Sequence, residues 1–177
     1  MPNEKNVNAP FASGSWWKII LFVGCYWLFN HIYFLIPDQT YTDVIYHYGV
    51  VLLCADLINT IAPPEQVAAV QNHLISAHAD LQIIRGCDSA GVLFLMISAV
   101  LSFKASWPEK LLGLFLGVSL IYCLNIVRVT GIYFLVAYHQ EWFEFVHVYL
   151  APTLMTIIAF IFFAWWAIGC RDVAKPS

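Results

Sequence analysis

Four long apolar runs dominate the chain, at residues 17–36, 89–103, 111–130 and 150–169, with short polar breaks between them. Several windows exceed the roughly 18 apolar residues that mark a membrane-spanning helix. The stretch 44–62, VIYHYGVVLLCADLINTIA, is a weaker helix because it carries His47, Asp56 and Asn59. The polar segment 63–86 after it predicts a short helix and then an extended piece running into Cys87. The pattern predicts an all-α polytopic membrane protein, a bundle of four to five transmembrane helices with a re-entrant or interfacial helix and a short extended segment. It reads as one membrane domain over 1–177, with polar tails at 1–15 and 171–177 and the segment 44–86 leading into the core.

Composition sharpens this reading. Of 177 residues, 61% are hydrophobic and 11% charged, against roughly 25% charged in soluble domains. A net charge of −3 with no basic cluster gives no nucleic-acid signature. Five scattered cysteines lack CxxC spacing, so neither a disulfide framework nor a zinc site is indicated. The six histidines include no HExxH pair. In HLISAH, His73 and His78 stand at a spacing that splays two rings on a helix, so both read as solvated and no metal or cofactor is called for.

Positive charge sets the orientation, because Lys and Arg concentrate on the cytoplasmic side. Lys104 and Lys110 flank the tight turn between the second and third runs, Arg171 and Lys175 follow the last, and Lys5 and Lys18 precede the first. All fit the inside, with Trp16, Trp17, Trp165 and Trp166 as interfacial anchors there. Parity then leaves two solutions. Either 44–62 dips into the outer surface without crossing, or it is a fifth crossing that places Lys5 and Lys18 outside. The first keeps every charge named above inside.

Arg85 and Arg128 remain, and both belong to the outer end. Residues 83–96 read IIRGCDSAGVLFLM, so Cys87 heads a span at a helix N-terminus. The partial positive charge there, with Arg85 beside it, is expected to acidify the thiol, Asp88 to oppose this, and Asp88 or Ser89 to cap the helix. Arg128 lies about 27 Å beyond Lys110 along a helix, near the far boundary of a core roughly 30 Å thick. A guanidinium there is a functional candidate, with an ion pair to Asp88 or Glu144 as the structural alternative. Asn125, one turn earlier on the same face, is placed to orient it. His147 precedes Pro152, which opens the last span, and therefore sits at the same depth. A thiol, an imidazole and a guanidinium at one level supply a nucleophile, a general acid–base and an oxyanion donor for acyl transfer. QEWFEF, just before His147, either lines a substrate entrance or faces lipid.

This order, a cysteine in CDSAG heading one span, NIVR near the outer end of the next and FEFVH opening the last, resembles the exosortase/archaeosortase family of integral-membrane cysteine transpeptidases. The resemblance covers residues 45–170. It implies Cys87 as nucleophile, Arg128 as oxyanion stabiliser and His147 as general acid–base; Asn125 and Asp88, placed beside them by the reading above, are expected to support. It further implies a multi-pass protein of the inner membrane with its active site on the extracytoplasmic face. The implied substrates are membrane-anchored proteins with a C-terminal sorting signal of short motif, transmembrane helix and basic tail, cleaved and passed to a glycan or lipid acceptor. The chain has Cys-Asp-Ser where many members have Cys-Ser-Gly, and only one clear span precedes the core. The rival reading is a non-catalytic membrane scaffold or assembly factor that keeps the same fold.

Overall fold

The computed structural model describes residues 15–173. The tails 1–15 and 171–177 thus lie outside the described residues, apart from Ser15 and the helical backbone up to Val173. Among the described residues, five helices are longer than a single turn. They are α1 (Ser15–Leu35), α2 (Asp38–Ile61, π-helical over Tyr41–Val51), α3 (Ala90–Ser102), α4 (Trp107–Tyr138) and α5. Helix α5 starts as Gln140–Glu144, passes through a π-helical stretch at Phe145–Leu150 and continues as Ala151–Val173. Trp16–Leu35, Asp38–Ile61, Trp107–Tyr138 and Gln140–Cys170 are long and apolar enough to cross a membrane, so the chain is an all-α polytopic membrane protein.

The two longest helices exceed the apolar runs that predict them. Helix α4 begins at Trp107, where the Glu109 carboxylate accepts from both the N–H and the hydroxyl of Ser106, each at 2.7 Å. Pro108 occupies the first turn, where its missing N–H costs nothing. Helix α5 begins well before Pro152, so His147 lies within a continuous helix rather than in a turn entering one. A helix-interior proline removes a hydrogen bond and crowds the preceding turn. Here the preceding turn is the wider π form.

Helix α2 packs against the head of α3 and along α4. At its start Asp38 pairs with Arg85 at 3.0 Å, and the Tyr41 hydroxyl donates to Asp88 at 3.1 Å. Midway, the Tyr122 hydroxyl donates to the Gly49 carbonyl. Further along, the Cys54 thiol faces the Ile126 carbonyl at 3.8 Å, and beyond the helix end Tyr133 donates to Glu65 at 2.6 Å. Successive contacts therefore climb α4 from Tyr122 towards Tyr138, and α2 packs beside the same half of α4 that carries Arg128.

Segment 63–86 departs from the expected short helix. A 3₁₀ turn at Pro63–Glu65 leads into a three-stranded antiparallel sheet: β1 (Ala68–Val70), β2 (His73–Ile75) and β3 (Asp80–Gln82), in that order. Gln66 and Gln71 take positive φ, 46° and 51°, and turn the chain before and after β1. The Asn59 side chain braces the entry, donating to the Val67 carbonyl at 2.9 Å and accepting the Val67 N–H at 2.7 Å. The two histidines expected to be solvated hold this unit together: His73 pairs with Asp80 at 2.7 Å and His78 with Glu65 at 3.3 Å.

Two apolar cores stack along the bundle. One joins Tyr33, Tyr46, Val51, Ile58, Leu74, Ile83, Val129 and Tyr133 beneath the sheet. The other joins Met96, Val100, Ile121, Met155 and Trp166. Trp166 is therefore a core residue, against the expected interfacial role, whereas Trp16, Trp17 and Trp165 are exposed. Its indole lies against Gly113 so closely that a Cβ there would stand 2.6 Å from the ring. Close backbone approach through small residues is how helices pack in lipid.

Candidate active site

Local structure delivers Cys87 to the head of α3. Beyond β3 the chain stays extended, Gly86 turns it at φ 93°, and the Cys87 N–H closes onto the Ile84 carbonyl at 3.0 Å. Ser89 takes positive φ, 58°, at the N-cap. The cap itself comes from Asp88, whose Oδ1 accepts the Ala90 N–H at 3.2 Å. Its other oxygen accepts the hydroxyls of Tyr33 at 2.7 Å and Tyr41 at 3.1 Å. Those tyrosines lie 55 and 47 residues away in the chain, and nothing near CDSAG in the sequence announces them.

The structure brings together Cys87, Arg128 and His147 from three different elements. Cys87 Sγ lies 3.3 Å from His147 Nε2. Arg128 Nη1 donates to the Cys87 carbonyl at 2.7 Å and to Ser89 Oγ at 3.3 Å. Ser89 Oγ in turn donates to Asn125 Oδ1 at 2.9 Å. Ser89 thus links Asn125 to Arg128, which is how the one-turn spacing of those two residues is used. Arg128 makes no ion pair with Asp88 or Glu144 among the described residues, and its Nε is buried without a partner. The His147 ring stacks on Phe143, centroids 5.1 Å apart and 8° from parallel, and its Nδ1 is buried without a partner. The ring is oriented by stacking one turn along its own helix, with no carboxylate behind it.

The thiol departs from the sequence expectation. Burial pushes the half-buried Cys87 thiol above its usual pKa and Asp88 adds to the rise, while a main-chain hydrogen bond with Ile84 and the charge of Arg128 oppose it. Arg85 has no part in this. Its guanidinium donates to the carbonyls of Tyr33 and Ile36, pairs with Asp38, and lies over the Tyr33 and Tyr41 rings at 5.3 and 4.4 Å. It fastens the α1–α2 corner instead of acidifying the cysteine.

A pocket of about 250 Å³ opens at the pair, lined by Leu81, Gln82, Ile83 and Ile84 with Cys87, His147 and Phe143 among its other walls. An apolar groove of about 250 Å³, lined in part by Arg128, runs between α4 and α5 past Val127, Gly131, Val146, Leu150 and Leu154. Of QEWFEF, Phe143 faces the first pocket, and Trp142 and Phe145 are exposed.

A family model described as transmembrane exosortase matches residues 66–164, more than half of the chain and every residue of the site. No curated protein and no solved structure matches the chain.

Proposed function

The chain belongs to the transmembrane exosortase family, and on that premise we propose that it is a membrane-embedded cysteine transpeptidase that cleaves the C-terminal sorting signals of exported proteins. The observation that carries this reading is the 3.3 Å approach of Cys87 Sγ to His147 Nε2, with Arg128 anchored on the Cys87 carbonyl. Membership gives a membrane transpeptidase-type activity. The geometry supports the division of labour within it.

In this reading His147 Nε2 takes the thiol proton as Sγ attacks the scissile carbonyl carbon. The carbonyl π electrons move onto oxygen, where guanidinium N–H groups of Arg128 not engaged by Cys87 and Ser89 stabilise the charge. Collapse breaks the C–N bond, His147 returns the proton to the departing amine, and a thioester remains on Cys87. An acceptor amine or hydroxyl, or water, then attacks the thioester while His147 again carries the proton, and the free thiol is restored. The apolar groove beside Arg128 suits the transmembrane helix of such a signal, which would set the scissile bond at the level of Cys87. In this reading the site lies at the outer face of the inner membrane, and 44–86 is the extracytoplasmic or interfacial segment that precedes it.

The test is co-expression with a secreted reporter that carries an N-terminal tag and a C-terminal tripartite signal from an exported protein of the same organism. Wild type processes the reporter, while Cys87→Ala, Arg128→Ala and His147→Ala accumulate normally and leave it intact. Processing by Cys87→Ala would remove the nucleophile assignment, and an intact reporter with every form would favour the scaffold.

A further inference from the structure

The sheet ends with an unpaired edge directly beside the thiol. Strand β3 has β2 on one side and, among the described residues, no strand on the other. Its hydrogen-bonding phase is fixed at both ends: the Ser76 N–H donates to the Ala79 carbonyl at 2.9 Å, and the Ile83 N–H to the Asn72 carbonyl at 2.8 Å. The Ile83 carbonyl accepts from the Asn72 side chain at 2.8 Å. In an antiparallel ladder the main-chain groups of alternate residues face opposite edges. With 79, 81 and 83 turned towards β2, the main-chain groups of Asp80 and Gln82 face outwards. The next residue in that phase is Ile84, whose carbonyl accepts the Cys87 N–H at 3.0 Å. This edge forms one wall of the pocket that contains Cys87 and His147.

We propose that the substrate segment immediately upstream of the scissile bond binds as an added strand on the outer edge of β3, pairing with the main chain of Asp80 and Gln82 and presenting its carbonyl to Cys87. An exposed strand edge recruits an extended peptide through main-chain bonds and reads alternate side chains in adjoining pockets. The occupant is the upstream segment because the downstream part is the apolar helix, and the groove suited to that helix is a separate one between α4 and α5, lined by no residue of the β3 edge. The same edge holds the acyl portion after the amine departs, which keeps the thioester aligned for the acceptor. Specificity for the short motif then falls to the side chains around the edge, chiefly Gln82, Ile84 and Phe143. The inference rests on the reading of Cys87 as a peptide-cleaving thiol, and its test separates the two.

The experiment places a photo-crosslinking benzophenone amino acid at position 82, 84 or 70 in full-length Cys87→Ala protein, co-expressed with the same tagged reporter. Position 70 lies in β1, at the opposite edge of the sheet. Crosslinks from 82 and 84 to the reporter upstream of its apolar helix, and none from 70, are expected. If wild type cuts the reporter but 82 and 84 do not crosslink, or crosslink no better than 70, the strand addition is wrong and the peptidase reading stands. If the crosslinks form but wild type does not cut, docking stands and the chemistry falls. With neither crosslinks nor cutting, both fall. A second variant tests the main chain itself. Gln82→Pro deletes an outward N–H that the sheet does not use, at an edge where proline is tolerated. Cleavage should fall about tenfold relative to Gln82→Ala, the scale of one lost hydrogen bond, with unchanged accumulation and unchanged iodoacetamide labelling of Cys87. Equal rates in the two variants would overturn the pairing.

Discussion

Cys87 Sγ and His147 Nε2 stand 3.3 Å apart across 60 residues of chain, one at the head of α3 and the other in the π-helical stretch of α5. The thiol of that pair is held above its usual pKa, chiefly by burial. A raised pKa means that the thiol is protonated at rest near neutrality and becomes a thiolate only when a base takes its proton. Alkylation of Cys87 by iodoacetamide, followed by mass spectrometry of its peptide, should therefore climb with pH through the alkaline range. A plateau below about pH 8 would mean a preformed thiolate, below the roughly 8.5 of a free cysteine, and would sink this account.

Arg85 gives a contrasting prediction. Arg85→Lys keeps a positive charge but cannot reach the Tyr33 and Ile36 carbonyls and Asp38 together, as a planar guanidinium does. Leaving a carbonyl unpaired at this half-buried corner costs about 1–3 kcal/mol, read as a lower melting temperature in detergent. The pH profile of Cys87 alkylation should not move, since Arg85 is not among the groups acting on the thiol. A shifted profile would restore the electrostatic role expected from its position two residues before Cys87.

Much of the bundle is legible in the sequence because lipid imposes long apolar runs, and counting residues from charged turns puts Cys87, Arg128 and His147 at one level, where the structure brings them together. What escapes is whatever depends on partners remote in the chain. Asp88 looks like a cap or a modifier of the thiol, and it is a cap, but its second oxygen is held by Tyr33 and Tyr41, which only the α1–α2 corner brings near. The short strands escape because three-residue elements carry too little periodicity to register. Asn59, which weakens the 44–62 run as a span, is explained once its amide is seen bracing Val67. The apparent blemish in the hydropathy is the clasp of the sheet.

Glu65 fastens that sheet to α4. Hydrogen bonds from Tyr133, then Tyr138, with a smaller part from His78, hold its carboxyl below the usual range despite burial. A folded pKa below the unfolded one gives stabilisation that is complete above the unfolded value, roughly 4.3, and is lost as pH falls through the folded value. Hydrogen-exchange protection of Leu74 and Leu81 should therefore hold from neutrality to about pH 4.3 and decline in stronger acid. Glu65→Ala should lose on the order of tenfold in protection at neutral pH without altering α3. Protection unchanged in both experiments would show that packing alone retains the sheet.

Arg128 serves the site in two separable ways, as a charge and as a shape. Its charge opposes the burial of the Cys87 thiol, so Arg128→Ala should raise the thiol pKa further and slow alkylation at any given pH. Its shape lets one Nη1 hold the Cys87 carbonyl and Ser89 Oγ at once, with other N–H groups left for a developing oxyanion. Arg128→Lys should therefore recover much of the alkylation rate yet remain deficient in reporter cleavage. Loss of a single oxyanion donor costs about 100-fold to 1,000-fold in kcat, so both variants should fall by at least about 100-fold while KM changes little. If Lys restores cleavage along with alkylation, the guanidinium contributes only its charge. If Ala leaves alkylation untouched and raises KM instead, Arg128 is a substrate-binding group, and the oxyanion must be met elsewhere.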